Sequence, residues 1–186
     1  MRQKDKTQMD GWVTITVAEP KGELASRLQQ QIVEATGSAQ RELIKKFNTM
    51  FGVRQYRFHN IVPTVGRSRI ASALAGFIAD EDDIKVNYSA LGTGTTAPAN
   101  GNTQLETETF RKLIASISTS NNIFYGTAFY LAGDTNGTFF EHGIFINGSA
   151  SANSGIILSR VLLNAPTGIT KSATETLTIE HSIELI

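Results

Sequence analysis

Hydrophobic and polar residues repeat with two different periods along the chain, and the period changes near residue 84. In residues 21–36, Leu24, Leu28 and Ile32 recur every four positions, which is the spacing of one face of an α-helix. After residue 84 the period is two, which is typical of β-strands with one buried face. The pattern therefore predicts helices near the front of the chain and an extended β structure in the rest.

The front of the chain is predicted to form a strand followed by a helical hairpin. Residues 12–17 are rich in β-branched side chains, and Pro20 ends this strand. The helix over 21–36 is followed by Gly37, a suitable C-cap, and by a second helix that ends at Gly52. The apolar stripe of the second helix comprises Leu43, Ile44, Phe47, Met50 and Phe51.

A strand over 56–62 and a short helix over 64–76 follow the hairpin. The residues of this helix predicted to face inward are Ile70, Ala71 and Leu74. The acidic run 80–83 is interpreted as a solvated turn, because it lacks the glycine and the spaced ligands of an EF-hand calcium loop.

The remaining segments are predicted to form strands separated by turn sequences, at 84–90, 110–117, 123–131, 139–146, 156–163 and 175–186. The last of them alternates most clearly, and the residues predicted to face its buried side are Leu177, Ile179, His181, Ile183 and Leu185. The predicted fold is mainly β (α+β), an antiparallel β-sandwich with an N-terminal helical hairpin and one further short helix. We divide it into an assembly or docking region, 1–57, and a sandwich domain, 58–186.

Composition narrows the possible classes of protein. The formal net charge is zero, but residues 1–79 carry twelve Lys/Arg against six Asp/Glu. This basic front could face an acidic partner or nucleic acid, although a solvated helical surface explains it as well, and no nucleic-acid partner is expected. The chain has no cysteine, which excludes disulfides and thiolate metal sites. Residues 1–6 are too polar for a signal peptide, and we expect no membrane association.

Candidate chemical groups do not form a recognisable motif. The loop Gly-Thr-Gly-Thr-Thr-Ala-Pro at 92–98 lacks the lysine of a phosphate-binding Walker loop. His181 is interpreted as a core histidine and His142 as a structural partner of Glu141, while a spatial cluster of histidines stays open. The acids that a small hydrolase could use are Glu106, Glu108, Asp134 and Glu141. We predict no catalytic residue, no metal and no cofactor, and we do not expect an enzyme.

Several blocks of the sequence resemble a family of tailed-bacteriophage virion proteins. The first runs from Ala90 through the Gly-Thr-Gly-Thr-Thr-Ala-Pro loop, followed by Leu105-x-x-Glu108 and Arg111. The later blocks, in the same order, are Glu141-His-Gly-Ile-Phe145, Arg160 and the Thr-rich strand at 174–183. The upstream residues 60–62 and the helix at 70–76 also fit, so the resemblance covers about residues 58–186.

The resemblance implies a β-sandwich component of a virion, attached to the tail or the capsid, and it supplies no catalytic residues. We expect a tail-associated structural protein, made in the host cytoplasm, that assembles with other virion proteins and as a homo-oligomer. The alternatives are a capsid decoration or head-fibre protein, and a carbohydrate-binding or receptor-binding module. The aromatic residues available to such a module are Trp12, Tyr56, Tyr125 and Tyr130.

The expected assembly contacts come from two segments. A helical hairpin with two apolar stripes could dock on a neighbouring subunit, and a long loop of small polar residues could thread into a partner's groove. The predicted contact residues are Leu24, Leu28, Ile32, Phe47, Phe51, Thr93, Thr95, Thr96 and Pro98.

Overall fold

A computed structural model describes residues 9–185 of the chain. The interpretation of residues 1–6 as too polar for a signal peptide, and the final residue of the closing strand, lie outside this range. The helices are α1 (Gly22–Glu34), α2 (Gly37–Phe51) and α3 (Thr64–Leu74). The strands are β1 (Asp10–Ala18), β2 (Gly52–His59), β3 (Val86–Gly92), β4 (Glu108–Leu113), β5 (Ser116–Ser120), β6 (Ile123–Tyr130), β7 (Gly137–Phe139), β8 (Glu141–Ile146), β9 (Ile156–Leu162), β10 (Ile169–Lys171) and β11 (Thr176–Glu184).

The structure confirms the predicted mainly β fold, with two antiparallel sheets packed face to face. A five-stranded sheet has the order β2-β1-β11-β6-β5, and a four-stranded sheet has the order β4-β3-β8-β9. Apolar residues from both sheets form the core between them, including Ile15 and Ile179 from one sheet and Leu91 and Val161 from the other. The short strands β7 and β10 pair with each other at one side.

The alternating closing strand lies at the centre of the five-stranded sheet. β11 pairs with β1 on one side and β6 on the other. The predicted inward side chains of Leu177, Ile179, His181 and Ile183 are buried, whereas Leu185 is 46% exposed because it follows the last paired residue. The division predicted at residue 57 falls inside β2, so it separates strands that pair in one sheet.

Two predicted strands are each divided in the structure. The segment 110–117 forms β4 and β5, which belong to different sheets. Between them, Ile114 donates its N–H to Asn87 and Ala115 donates to Thr127, so the chain crosses from one sheet to the other. The segment 139–146 is likewise divided, at Phe140 between β7 and β8.

The helical hairpin covers one end of the outer face of the five-stranded sheet. Ile32 from α1 and Phe47 from α2 pack in one cluster with Ala18 and Phe129 of the sheet. Gly37 begins α2 rather than capping α1, and its φ of +59° suits glycine. None of the helices within residues 9–185 is both long and apolar enough to cross a bilayer.

Helix α3 lies against β9 through a glycine rather than through its predicted apolar face. A Cβ on Gly66 would come within 2.8 Å of the carbonyl oxygen of Ile157, so the helix and strand backbones approach closely. Ile70 is partly buried, but Ala71 and Leu74 are exposed, contrary to the sequence prediction. The close backbone contact turns these two positions towards the surface.

Candidate functional site

A buried carboxylate fixes the Gly-Thr loop, defined here as residues 93–107, to the sandwich. Glu141 on β8 is fully buried. Its side chain accepts hydrogen bonds from the backbone N–H groups of Gly94 (3.1 Å), Glu106 (3.0 Å) and Thr107 (2.7 Å). One carboxylate thus satisfies three backbone donors at the two ends of the loop.

Arg160 on β9 completes this arrangement. Its guanidinium contacts Glu141 through Nε at 3.0 Å and Nη2 at 2.8 Å, and its side chain is 1% exposed. It also donates to the Asn102 side chain at 2.9 Å and to the Thr96 carbonyl at 3.1 Å. The buried ion pair therefore holds the middle of the loop as well as its ends, and we call it the loop clamp.

The loop clamp requires glycine at positions 92 and 94. A Cβ on Gly92 would lie 2.6 Å from Oε1 of Glu141, and one on Gly94 would lie 2.4 Å from the same atom. Both separations are far below van der Waals contact. The Gly-Thr-Gly sequence therefore allows the backbone to approach a carboxylate closely.

The clamp changes the role predicted for the loop. Thr96 donates to Glu106 through its backbone N–H and its hydroxyl, at 2.7 and 2.8 Å, and Pro98 is partly buried. These contacts keep the loop on its own chain, so it is not extended for threading into a partner's groove. Thr93, Thr95 and Thr96 remain exposed.

A second ion pair fixes the loop between β8 and β9. Glu108 and Arg111 form two hydrogen bonds, at 2.6 and 2.8 Å, and their side chains are almost fully buried. Arg111 also donates to the carbonyl oxygens of Ser149 and Ser154, both at 3.0 Å. The carboxylate of Glu108 accepts the backbone N–H of Asn153 at 3.1 Å.

A third charged group fixes the turn between β6 and β7. The ammonium of Lys171, on a side chain that is 1% exposed, donates to the carbonyls of Ala132 (3.1 Å) and Thr135 (2.8 Å). Asp134 accepts from the backbone N–H of Leu131 at 2.8 Å and pairs with Lys112. The acids weighed as hydrolase candidates are therefore each engaged in holding a loop.

A chain of buried polar side chains crosses the core between the two sheets. His142 and His181 are both fully buried, and Nδ1 of His142 lies 2.8 Å from Nε2 of His181. His142 continues to the hydroxyl of Tyr130 (3.2 Å), which lies 2.8 Å from that of Ser89. On the other side, His181 contacts the hydroxyl of Ser159 at 2.9 Å. The Ser159 hydroxyl accepts from the Asn60 amide, which ends the chain.

The chain is satisfied when both imidazoles are neutral. Starting from the Asn60 amide, each group can donate to the next in one direction, with a single proton between the two histidines. Burial lowers the pKa of His181 to about 3, and burial followed by the neighbouring His181 lowers the pKa of His142 well below its ordinary value. A second proton on either ring would place a charge in this fully buried site and turn the Ser159 hydroxyl from donor to acceptor towards His181, which is unfavourable.

The structure confirms one interpretation of the histidines and corrects another. His181 is a hydrogen-bonded core histidine, as predicted. His142 does not pair with Glu141, because adjacent strand residues point to opposite faces, and Glu141 bonds Arg160 instead. Within residues 9–185, no group of three or more His, Cys, Asp or Glu side chains could hold a metal ion.

The hairpin residues predicted as partner contacts lie mostly inside the chain. Leu28, Ile32 and Phe47 are 3% exposed or less, and Phe51 packs against the same cluster. All four seal the hairpin onto the sheet, which leaves Leu28, Ile32 and Phe47 with no surface for a partner and Phe51 with only part of its surface accessible. Leu24 is 52% exposed and keeps the position that a contact needs.

A different apolar surface lies at the end of α3. Leu74 and Phe77 are 86% and 84% exposed. Sequence reasoning placed Leu74 in the core and did not single out Phe77. The close packing of Gly66 on β9 was not visible in the helical pattern, and it is what turns Leu74 outward.

The loop clamp was also missed as a unit, although the sequence contains a signal for it. Glu141 begins an apolar strand, and Arg160 interrupts another, Ile-Ile-Leu-Ser-Arg-Val-Leu. A charged residue inside an apolar strand indicates a buried ion pair, since a lone buried charge is strongly unfavourable. The pairing of these two strands could not be read from the sequence alone.

Comparison with known proteins finds no matching family model, no matching curated protein and no matching solved structure.

Proposed function

We propose that this chain is a structural component of a bacteriophage virion, tail-associated, which acts by assembling with other virion proteins and with copies of itself. The observation that carries the proposal is the convergence of the blocks that resemble the phage family. Gly92, Gly94, Glu141 and Arg160 come from blocks up to 68 positions apart, and they meet in one buried clamp.

The role of these blocks supports a structural protein. Glu108 and Arg111, which belong to the same resemblance, fix a second loop. The charged groups of the blocks are thus used to hold loops on a rigid sandwich, and they are buried rather than presented to a substrate. A particle that must keep one shape during assembly benefits from loops held in this way.

The surface supplies groups suited to assembly. Exposed hydrophobic patches mark sites of protein–protein contact, and Leu74 and Phe77, three positions apart in sequence, are the two most exposed large hydrophobic residues in 9–185. Leu24 on α1 and Thr93 and Thr95 on the Gly-Thr loop remain accessible. We assign the main contact to the end of α3 and secondary contacts to these residues.

Immunogold electron microscopy on phage particles carrying this chain tests the proposal. Antibody raised against the purified protein is expected to label the tail. Label on the capsid would favour the capsid decoration or head-fibre alternative. An absence of label on particles, with the protein found only in the soluble lysate, would contradict both.

A further inference from the structure

The outer face of the five-stranded sheet carries a groove beside α2. The helix covers only one end of this face, where Ile44 and Phe47 pack on Ala18 and Phe129. Beyond this contact, a cavity of about 580 Å³ lies between α2 and the sheet. Ligand sites for small molecules typically enclose about 300–1,000 Å³, so the groove has the size of such a site.

The strand register arranges hydrogen-bonding groups across the floor of the groove. Thr14 lies between Arg57 of β2 and Glu180 of β11, and Thr16 lies between Gln55 and Thr178. The polar side chains that α2 contributes to the wall are those of Arg41, Lys45, Asn48 and Thr49. The Thr14 hydroxyl makes no hydrogen bond with any other residue in the described range 9–185, so it is available to a ligand.

The three cations that line the cavity are each paired with a carboxylate of the chain. Arg41 pairs with Glu180 at 2.8 Å, Lys45 with Glu42 at 2.9 Å, and Arg54 with Glu175 at 2.5 Å. Since each of these cations already contacts a carboxylate, a free anion gains little there. An apolar ligand would cover hydroxyl and amide groups without replacing their hydrogen bonds to water, which is unfavourable.

An aromatic ring lies next to the polar floor. Trp12 and Thr14 project from the same face of β1, because side chains two positions apart share a face. Trp12 is 38% exposed. The guanidinium carbon of Arg57 lies 4.2 Å from the centroid of its ring, and the centroid of the His59 ring lies 5.0 Å away. Among the four aromatics considered from the sequence, Tyr130 is fully buried and Tyr56 and Tyr125 are partly buried, so Trp12 is the most accessible.

We propose that this groove binds a neutral saccharide. Thr14, Gln55 and Asn48 bond its hydroxyl groups, and the C–H face of one sugar ring packs on Trp12. Hydroxyl-rich ligands suit the floor because every polar group that loses water gains a new partner. The inference does not depend on a place in the virion, since it concerns the isolated chain.

Binding can be tested on the purified full-length protein in two steps. An array of neutral and acidic bacterial polysaccharides identifies a saccharide that binds, and the oligosaccharide prepared from it is titrated into ¹⁵N-labelled protein. Amide shifts are expected at Thr14, Gln55 and Asn48, and inorganic phosphate, used as an anion probe, is expected neither to shift them nor to compete.

Variants locate the site and separate binding from folding. Thr14→Val keeps the β-branched shape and removes one hydroxyl, so it is expected to weaken binding about threefold to tenfold. Trp12→Ala is expected to weaken it by about tenfold or more. Thr119→Val removes an exposed strand hydroxyl outside the groove and is expected to leave both the affinity and the thermal midpoint unchanged.

The proposal fails if no polysaccharide on the array binds, or if the oligosaccharide prepared from a hit causes no amide shift up to about 10 mM. It also fails if binding maps outside the groove, if phosphate displaces the saccharide, or if a virion protein instead of a saccharide protects the groove. A saccharide whose affinity falls equally in Thr14→Val and Thr119→Val would also contradict it.

Discussion

The guanidinium Nη2 of Arg160 lies 2.8 Å from the carboxylate of Glu141, and at most 1% of either side chain is exposed. The two residues come from adjacent strands of the four-stranded sheet, β9 and β8. Between them they bond backbone groups of Gly94, Thr96, Glu106 and Thr107. This single pair therefore holds both the ends and the middle of the Gly-Thr loop.

Replacing the carboxylate tests how strongly the loop clamp stabilises the fold. In Glu141→Gln, an amide N–H₂ must face either backbone donors or Arg160, and the buried arginine loses its counter-charge. Removing one partner of a buried ion pair typically costs about 3–5 kcal/mol, and we expect a loss of this size in the free energy of unfolding. Urea denaturation followed by circular dichroism measures it.

The matched control is Glu42→Gln, which removes the carboxylate of an exposed pair with Lys45. We expect no measurable change in its denaturation midpoint, because exposed pairs contribute little. Equal midpoints for Glu141→Gln and Glu42→Gln would show that the loop clamp does not stabilise the fold.

A glycine substitution tests the close approach of the loop to Glu141. In Gly94→Ala the added methyl would lie 2.4 Å from the Glu141 carboxylate, and overpacking of this kind typically costs about 1–3 kcal/mol. Gly101→Ala in the same loop meets no atom within 4 Å. We expect Gly94→Ala alone to accelerate hydrogen exchange of the Glu106 and Thr107 amides, and similar exchange in both variants would contradict this account.

The buried histidine pair predicts a loss of stability in acid. The folded state keeps both rings neutral, whereas an unfolded imidazole binds a proton below about pH 6.5. The unfolded state therefore binds more protons, and stability falls as the pH drops from about 6.5 towards the folded-state pKa of His181, about 3. One such ring is expected to lower the free energy of unfolding at pH 4.5 by about 2–3 kcal/mol relative to its value at pH 7.

A variant at His181 assigns this pH dependence. His181→Gln removes one buried imidazole and is expected to reduce the slope of stability between pH 6.5 and 4.5. Imidazole ¹⁵N shifts of the wild-type protein at pH 5 provide a second measurement. A charged imidazole at His142 or His181 at that pH would contradict the explanation that both rings stay neutral in the folded protein.

The sequence predicted elements whose pattern is local. The alternation of Leu177, Ile179 and Ile183 identified β11 and its buried face. It did not predict that 110–117 crosses between sheets, because Ile114 and Ala115 bond to strands distant in sequence. The same limit applies to the loop clamp and the histidine chain, which depend on which strands pair and on which faces meet.

Assembly through the end of α3 predicts a specific effect of two polar substitutions. The double variant Leu74→Ser, Phe77→Ser removes the exposed apolar pair without touching the core, so its monomer should remain folded. Light scattering at micromolar concentration is expected to show a smaller oligomer than wild type. Leu113→Ser changes another exposed apolar residue, on β4, and is expected to keep the wild-type mass. A wild-type protein that is monomeric and does not bind virion proteins would contradict this prediction.

The most direct test of a virion role is quantitative mass spectrometry of phage particles purified by density-gradient banding. Our account predicts that this chain stays with intact particles through the gradient and separates with the tails when the particles are dissociated. Its loss from banded particles, with no change in their other proteins, would contradict the account.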